Sequence, residues 1–146
     1  MIDELRAVFD TNVYVSVFLS KNQDSAAQKL FRFWRAKTFL LLICDQLLDE
    51  IVEKLLEKRV DPLRIRSFLV ELGELAAWIT VTPDAILPII LADPDDDVIV
   101  ACAVAGKADY LVSNDGHFDV LGGLHRGIRI VRPVPFLWAV RQSLGG

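Results

Sequence analysis

The sequence predicts an α/β domain in which an open, mostly parallel sheet of five strands has helices on both faces. Short apolar, β-branched segments alternate along the chain with longer segments whose apolar residues recur at helical spacing. Most pairs of strands are also separated by enough residues for a crossover helix, which parallel strands require. A length of 146 residues with 53% hydrophobic residues suits a single domain over residues 1–146 with one core.

Each predicted element is defined by its apolar period and by the residues at its ends. The strands fall at 6–9, 40–44, 79–81, 110–113 and 128–131, and the helices at 13–19, 25–36, 45–59, from 61 onward, 94–105 and 135–142. Asp24 or Ser25 can cap the second helix, because a short polar side chain accepts an N–H of the first turn. Asp61-Pro62 and Asp93-Pro94 each place a capping acid before proline, which suits the first helical position. The order βααβααβαβα therefore favours parallel strands.

Charge and hydropathy exclude some classes of protein. The net charge of −4 argues against a domain that binds nucleic acid mainly through basic residues. The charge is uneven, since residues 84–119 hold eight acids and one lysine, whereas the chain after 119 has four arginines and no acid. No apolar stretch is long enough to cross a membrane, and the acidic start does not fit a signal peptide. We therefore expect a cytoplasmic protein with no membrane partner.

Four acidic positions that lie far apart in the chain are expected to meet at one edge of the sheet. Asp10 and Asp115 directly follow predicted strands, and ligand crevices in open α/β sheets lie at the carboxyl ends of strands. Glu50 falls at the margin of an apolar helical stripe, and the acids at 95–97 occupy the first turn of another helix. Two carboxylates about 4 Å apart repel by roughly 4 kcal/mol at an effective dielectric near 20. A divalent cation would remove that repulsion.

Each of these acids also has a purely structural interpretation. Asp10 could open a turn after its strand, as could Asp115, and Glu50 could pair with Lys54 on the surface of one helix. The helix macrodipole stabilises an acid in the first turn by roughly 0.3 to 1 kcal/mol. Three consecutive acids at 95–97 exceed what capping requires, because the added charges repel one another. That excess favours a cation site.

The segments that carry these acids resemble the motifs of PIN-domain nucleases, and the resemblance spans almost the whole chain. The segments are Val8 to Val13, Leu47 to Leu55, Asp93 to Asp97 with Ala101 and Ala103, and Ala108 to Asp115. The chain is most similar to the VapC-like toxins of prokaryotic toxin–antitoxin systems, in the branch with a DPDD-type third motif. The resemblance implies a PIN-like three-layer fold, a metal-dependent endoribonuclease with RNA as its substrate, and a small antitoxin protein as partner.

The resemblance also implies the site residues. Asp10, Glu50, Asp97 and Asp115 correspond to the catalytic quartet, with Asp10, Asp97 and Asp115 as metal ligands. Asp96 remains an alternative to Asp97. Such oxygen ligands suit Mg²⁺ or Mn²⁺, whereas zinc prefers His or Cys. The implied reaction is in-line hydrolysis of a phosphodiester by a water that the cation makes more acidic.

Three polar residues flank this quartet. Asn12 and Ser113 are candidates to fix the carboxylates through hydrogen bonds. His117 stands where the family usually has a second Asp, which weakens the case for two metal ions.

Two other classes of function stay open. A noncatalytic PIN-like module that only binds proteins would share the fold. A receiver-like or haloacid-dehalogenase-like phosphotransfer domain also has an Asp after its first strand, but it needs a lysine after a late strand, where this chain has Asn114 and Arg132.

Phe31, Phe33 and Trp34 lie close together on one predicted helix and cannot all face one core. We therefore expect one of them to face a partner, and the protein to form a homo-oligomer such as a dimer.

Overall fold

The computed structural model describes residues 4–90 and 93–145. Its strands are β1 (Arg6–Phe9), β2 (Leu40–Ile43), β3 (Ala77–Trp78), β4 (Tyr110–Val112), β5 (Leu124–His125) and β6 (Ile128–Val131). Its α-helices are α1 (Thr11–Leu19), α2 (Ala26–Arg35), α3 (Asp45–Glu57), α4 (Pro62–Leu75), α5 (Asp95–Ala105) and α6 (Pro133–Leu144). Two short 3-10 helices lie at Pro83–Ala85 and His117–Leu121.

The strands form one sheet in the order β3-β2-β1-β4-β6-β5. All neighbours are parallel except β5 and β6, and helices lie on both sides of the sheet. The predicted α/β class and mostly parallel sheet are therefore confirmed. The sheet has six strands rather than five, because β5 and β6 form a short hairpin whose turn contains Arg126 (φ 50°) and Gly127 (φ 81°).

The third strand differs in position from its prediction at 79–81. Ala77 and Trp78 pair with Leu42 and Ile43, and the pairing ends where the N–H of Ile79 donates to the carbonyl of Ile43 at 2.8 Å. The β-branched composition of 79–81 indicated a strand, but the neighbouring strand β2 ends at Ile43 and offers no further partner.

Helix ends follow the predicted capping residues in two cases. The Ser25 side chain accepts the N–H of Gln28 at 3.2 Å, and Asp61 accepts the N–H of Leu63 at 2.9 Å. The last helix begins at Pro133 rather than two residues later, because a proline also fits its first position. These caps fix where each connection leaves the sheet edge.

The core is rich in aromatic side chains around the end of β1. The ring of Phe9 lies 5.6 Å from that of Phe31, 5.7 Å from that of Phe39 and 5.8 Å from that of Phe136, between centroids. Burying each such ring stabilises the fold by roughly 1.5 to 3 kcal/mol. This packing fixes the strand immediately before Asp10.

The aromatic residues of α2 do not provide an exposed patch. Phe31 and Trp34 are fully buried, and Phe33 is partly buried against the same core. The helix is packed on more than one side, since the Trp34 ring lies 6.2 Å from that of Phe68 on α4. None of these three side chains therefore offers a large exposed surface to a partner.

Within residues 4–90 and 93–145, none of the helices combines the length and apolar character needed to cross a membrane. The acidic start of the chain at 1–3 lies outside the described residues.

Candidate active site

The ends of two adjacent parallel strands form the base of the site. Phe9 in β1 is in register with Val112 in β4, and the N–H of Asp10 donates to the carbonyl of Val112 at 2.8 Å. The Ser113 hydroxyl donates to Asp10 Oδ2 at 2.8 Å, and both residues are almost fully buried. This is the position where the strand order reverses, because β1 lies between β2 and β4.

Asp115 joins this base through the loop after β4. The Ser113 hydroxyl accepts the N–H of Asp115 at 3.2 Å, so it contacts both acidic residues. The Asn12 side chain donates to Asp115 Oδ2 at 3.3 Å, and the N–H of His117 donates to Asp115 Oδ1 at 2.9 Å. Asn12 and Ser113 thus make hydrogen bonds that join the segment around Asp10 to the segment around Asp115.

Asp96 and Asp97 lie in the first turn of α5 and are both buried, but they face different neighbours. Asp96 Oδ2 lies 2.9 Å from His117 Nδ1, on the side of the site. Asp97 Oδ1 accepts the N–H groups of Ile89 and Ile90 at 3.0 and 2.7 Å. The carboxylate of Asp97, the residue that the resemblance favours, is thus bound to backbone N–H groups and does not lie among the other acids. Consecutive helical residues differ by about 100° in direction, and Asp96 is the one that faces the other acids.

Glu50 lies on α3 and reaches the same group of charges. Burial raises its pKa to about 7, and repulsion from Asp95, Asp96 and Asp93 adds to the rise. The Thr11 hydroxyl approaches Glu50 and opposes that rise slightly. It falls short of hydrogen-bond geometry, and Thr11 Oγ1 is buried without a hydrogen-bond partner among the described residues.

The central carboxylates resist ionisation in the protein alone. Burial raises the pKa of Asp10 to about 7, with the Ser113 hydroxyl opposing the rise and Asp115 and Asp96 adding to it. Burial also raises the pKa of Asp96 to about 6, against the hydrogen bond from His117. Crowded, buried carboxylates of this kind are stabilised in their charged form by a cation.

One group in the described part of the chain has the spacing of metal ligands. Ligand atoms of Asp93, Asp96 and His117 all lie within 4.8 Å of one another. Sequence reasoning treated Asp93 as a helix cap, and its Oδ1 does accept the N–H of Asp95 at 3.1 Å. It treated His117 as peripheral. The signal that could have identified both is their place in motifs, three residues before Asp96 and two residues after Asp115.

A basic side chain also reaches this edge. Arg132, at the start of α6, donates through Nη1 to the carbonyl of Asp115, and its Nη2 lies 3.6 Å from Asp119 Oδ1. Arg132 lines a cleft of about 270 Å³ with Ser113 and Asp115 and a second groove of about 410 Å³ with Asn114. A positive charge therefore flanks the acidic centre, where a phosphate could contact it.

The fold and this arrangement of acids define an α/β protein with a candidate acidic site for a metal ion. Residues 6–117 match the sequence profile of the PIN domain. The chain therefore belongs to the PIN-domain family, whose members are generally metal-dependent nucleases. A search of curated proteins found no significant match. The residues present fit the cation that the family uses, because carboxylate oxygens from four separate segments are gathered at one sheet edge.

Proposed function

We propose that this protein is a metal-dependent endoribonuclease that hydrolyses phosphodiester bonds in RNA. The observation that carries the proposal is the contact of two buried acids, Asp10 and Asp96, with the Asp115 loop at the ends of β1 and β4. Their pKa values are raised by burial and mutual repulsion, as expected of a site that binds a cation. Mg²⁺ and Mn²⁺ both suit carboxylate ligands.

Asp10, Asp96 and Asp115 are the residues that would hold the cation, with Asp96 replacing the sequence-based choice of Asp97. When bound, the cation would offset charge on the phosphate and make a water more acidic. Glu50, whose pKa is raised to about 7 in the metal-free protein, could accept the proton that the attacking water loses, while the leaving oxygen takes a proton from solvent as its bond to phosphorus breaks. Asn12 and Ser113 keep the carboxylates in place through their hydrogen bonds.

RNA as the substrate rests on the resemblance to VapC-like toxins. The groove of about 410 Å³ beside Arg132 supports a polynucleotide, because hydroxyl groups of Ser16, Ser20 and Ser25 line it. Hydroxyl, amide and guanidinium groups are common contacts of phosphates and sugars. The groove is lined by residues of α1, the start of α2 and the start of α6, together with Asn114, the chain neighbour of Asp115.

The partners in this proposal are a small antitoxin protein and a second copy of the chain, and the compartment is the cytoplasm. The toxin role follows from the same resemblance. Support for self-association comes from α6, where Val134 and Trp138 lie four residues apart on one face and are 56% and 63% exposed. Large exposed apolar side chains on one face of a helix are typical of protein contacts.

The decisive experiment is cleavage of RNA by the purified protein. We expect cleavage with Mg²⁺ or Mn²⁺, loss of activity in EDTA, and loss of activity in Asp10→Asn and Asp96→Asn. Asp97→Asn is the matched control, because Asp97 has the same chemistry one residue away but binds the backbone of Ile89 and Ile90. Activity that persists unchanged in Asp10→Asn would identify a contaminating nuclease and remove the proposal.

The second candidate is a noncatalytic PIN-like module that binds protein partners. The observation that favours it is His117, which stands in place of an Asp and reduces the number of acidic ligands. A protein that binds Mn²⁺ but cleaves no RNA would identify this alternative. A phosphotransfer domain is less well supported, because the residues after β4 and β6 include Asn114 and Arg132 and no lysine.

A further inference from the structure

His117 lies between two of the acids at the mouth of the site. Its Nδ1 is 2.9 Å from Asp96 Oδ2 and 3.7 Å from Asp115 Oδ1. Together with Asp93, the imidazole and Asp96 form the group whose ligand atoms lie within 4.8 Å of one another. The imidazole is 43% exposed, whereas the Asp96 side chain is 5% exposed, so an ion could reach the group from the His117 side.

The position of His117 is fixed by its backbone. Its N–H donates to Asp115 Oδ1 at 2.9 Å, and the following residue, Phe118, is buried in the core. His117 also begins the 3-10 helix His117–Leu121, which limits the directions that its ring can take. The backbone of His117 is therefore held next to the acids by two anchors.

A hydrogen bond or ion pair between His117 and Asp96 does not by itself balance this group. A protonated imidazole carries one positive charge, while Asp93, Asp96 and Asp115 can carry three negative charges. A divalent cation would supply the missing charge.

We propose that an imidazole nitrogen of His117 is a further ligand of the cation held by Asp10, Asp96 and Asp115, and that this ligand makes the site prefer a first-row transition ion to Mg²⁺. Mg²⁺ takes oxygen ligands almost exclusively, whereas imidazole nitrogen binds Mn²⁺ and the later transition ions. A nitrogen ligand beside the carboxylates would then set the metal class of the site. The inference rests on the metal-binding part of the proposed function and does not require RNA cleavage.

The test uses Mn²⁺ as a paramagnetic probe on the full chain. Pulsed electron paramagnetic resonance of the Mn²⁺-loaded protein should show coupling to an imidazole ¹⁴N nucleus. The coupling should disappear in His117→Gln and remain in His125→Gln, which changes the other of the chain's two histidines. We also expect His117→Gln to weaken Mn²⁺ binding by roughly 10- to 100-fold. The affinity for Mg²⁺, measured by calorimetry, should change much less.

Two results would overturn the inference. One is a Mn²⁺ complex of the parent protein with no ¹⁴N coupling, which would leave His117 as a hydrogen-bond donor to Asp96. The other is an equal loss of Mg²⁺ and Mn²⁺ affinity in His117→Gln. The proposed nuclease activity and the proposed metal ligand can fail separately. Nitrogen coupling without RNA cleavage would contradict only the nuclease activity. RNA cleavage without nitrogen coupling would contradict only the coordination by His117.

Discussion

Asp96 and Asp97 show how one residue decides the chemistry of this site. Both are buried acids in the first turn of α5, so burial and position on the helix do not separate them. Their hydrogen bonds do. Asp96 meets His117, whereas Asp97 binds the N–H groups of Ile89 and Ile90. The first arrangement places charge where a cation would bind, and the second satisfies backbone donors that would otherwise be buried unpaired.

We predict that the two isosteric variants of these residues shift stability in opposite directions. Asp96→Asn should raise the melting temperature in EDTA, because folding raises the pKa of Asp96 and so disfavours its charged form. It should also cancel the stabilisation by Mn²⁺, which for the parent is about 2.7 kcal/mol at a hundredfold excess over Kd. Asp97→Asn should lower the melting temperature and keep the metal effect, because it only weakens charge-assisted hydrogen bonds.

Thermal melts in EDTA and in saturating Mn²⁺ measure both effects. Weakening the Asp97 hydrogen bonds should cost about 1 kcal/mol, or roughly 2 to 8 °C for a domain of this size. The assignment of Asp96 would be wrong if Asp96→Asn kept the full metal stabilisation and Asp97→Asn lost it.

The raised pKa values of the acids predict that the metal-free protein loses stability as pH rises. The folded-state pKa values are about 7 for Asp10 and Glu50 and about 6 for Asp96, above their ordinary values of 3.8 to 4.5. The folded state therefore holds more protons than the unfolded state between about pH 4 and 7. The stability from these groups is fully present below that window and is lost as pH rises through it. His117, whose pKa is raised by Asp96 and Asp115, acts in the same direction.

Urea unfolding at pH 5 and pH 8 in EDTA checks the sign. Between pH 5 and pH 8 the free energy of unfolding should fall less in Glu50→Gln than in the parent protein, because the glutamine side chain cannot ionise. Saturating Mn²⁺ should reverse the fall, because cation binding favours the charged carboxylates. Equal stability at both pH values, in parent and variant alike, would show that these acids ionise as freely in the folded chain as in water.

At the scale of elements, α5 is the part that joins the site to the sheet. It packs on β1, β2 and β4, which carry or border the site residues. Its C-terminal cap, Gly106, lies so close to the sheet that an added Cβ would be 2.8 Å from Leu42 Cδ1 and 3.0 Å from Ile79 Cγ1. A φ of −84° is available to any residue, so the backbone conformation of Gly106 does not require glycine. The position requires glycine because a larger residue would not fit against Leu42 and Ile79. The C-terminal end of α5 is therefore packed closely against Leu42 and Ile79.

We predict that Gly106→Ala destabilises the protein and that Gly73→Ala stabilises it. Overpacking a fitted contact typically costs about 1 to 3 kcal/mol. Gly73 lies inside α4, where an added Cβ would meet nothing within 4 Å, so alanine should add roughly 0.5 to 1 kcal/mol through its helix propensity. Paired chemical denaturation curves measure the difference. Equal effects of the two substitutions would show that α5 is not held tightly against β2.

At the scale of the whole molecule, the sheet order places every part of the site at one edge. Because β1 is central and parallel to both β2 and β4, the chain leaves their carboxyl ends toward the same side. Segments more than 100 residues apart, such as those of Asn12 and Asp115, are brought into contact in this way.

Helix α6 has one side packed in the core and one side exposed to solvent. The exposed side carries Val134 and Trp138.

We predict that this face of α6 joins two copies of the protein. Light scattering at micromolar concentration should give a dimer for the parent and a monomer for Trp138→Glu, because a charge would have to be buried in the contact. Leu63→Glu is the control, since Leu63 is 70% exposed but lies on α4. A monomeric parent, or a dimer that survives Trp138→Glu, would remove α6 from the contact.

The sequence by itself determined the features that depend on neighbouring residues. Apolar period and capping residues predicted the α/β order and most helix starts, because these signals act within one or two turns of chain. Asp10 and Asp115 could be placed at the sheet edge for the same reason, since each directly follows a strand. The third strand was misplaced because its position depends on where β2 ends, which is not a local property.

Only the tertiary structure decided which side chains meet. Asp96 rather than Asp97 faces the site because α5 is rotated by its packing on the sheet and because the segment at 89–90 takes the other carboxylate. Asp93 and His117 come within ligand distance because the loop after β4 folds back over the start of α5. Consecutive residues of a helix point about 100° apart, and the local sequence pattern does not show which of two neighbouring acids faces the site. The packing of the helix decides which carboxylate lies where a cation would bind.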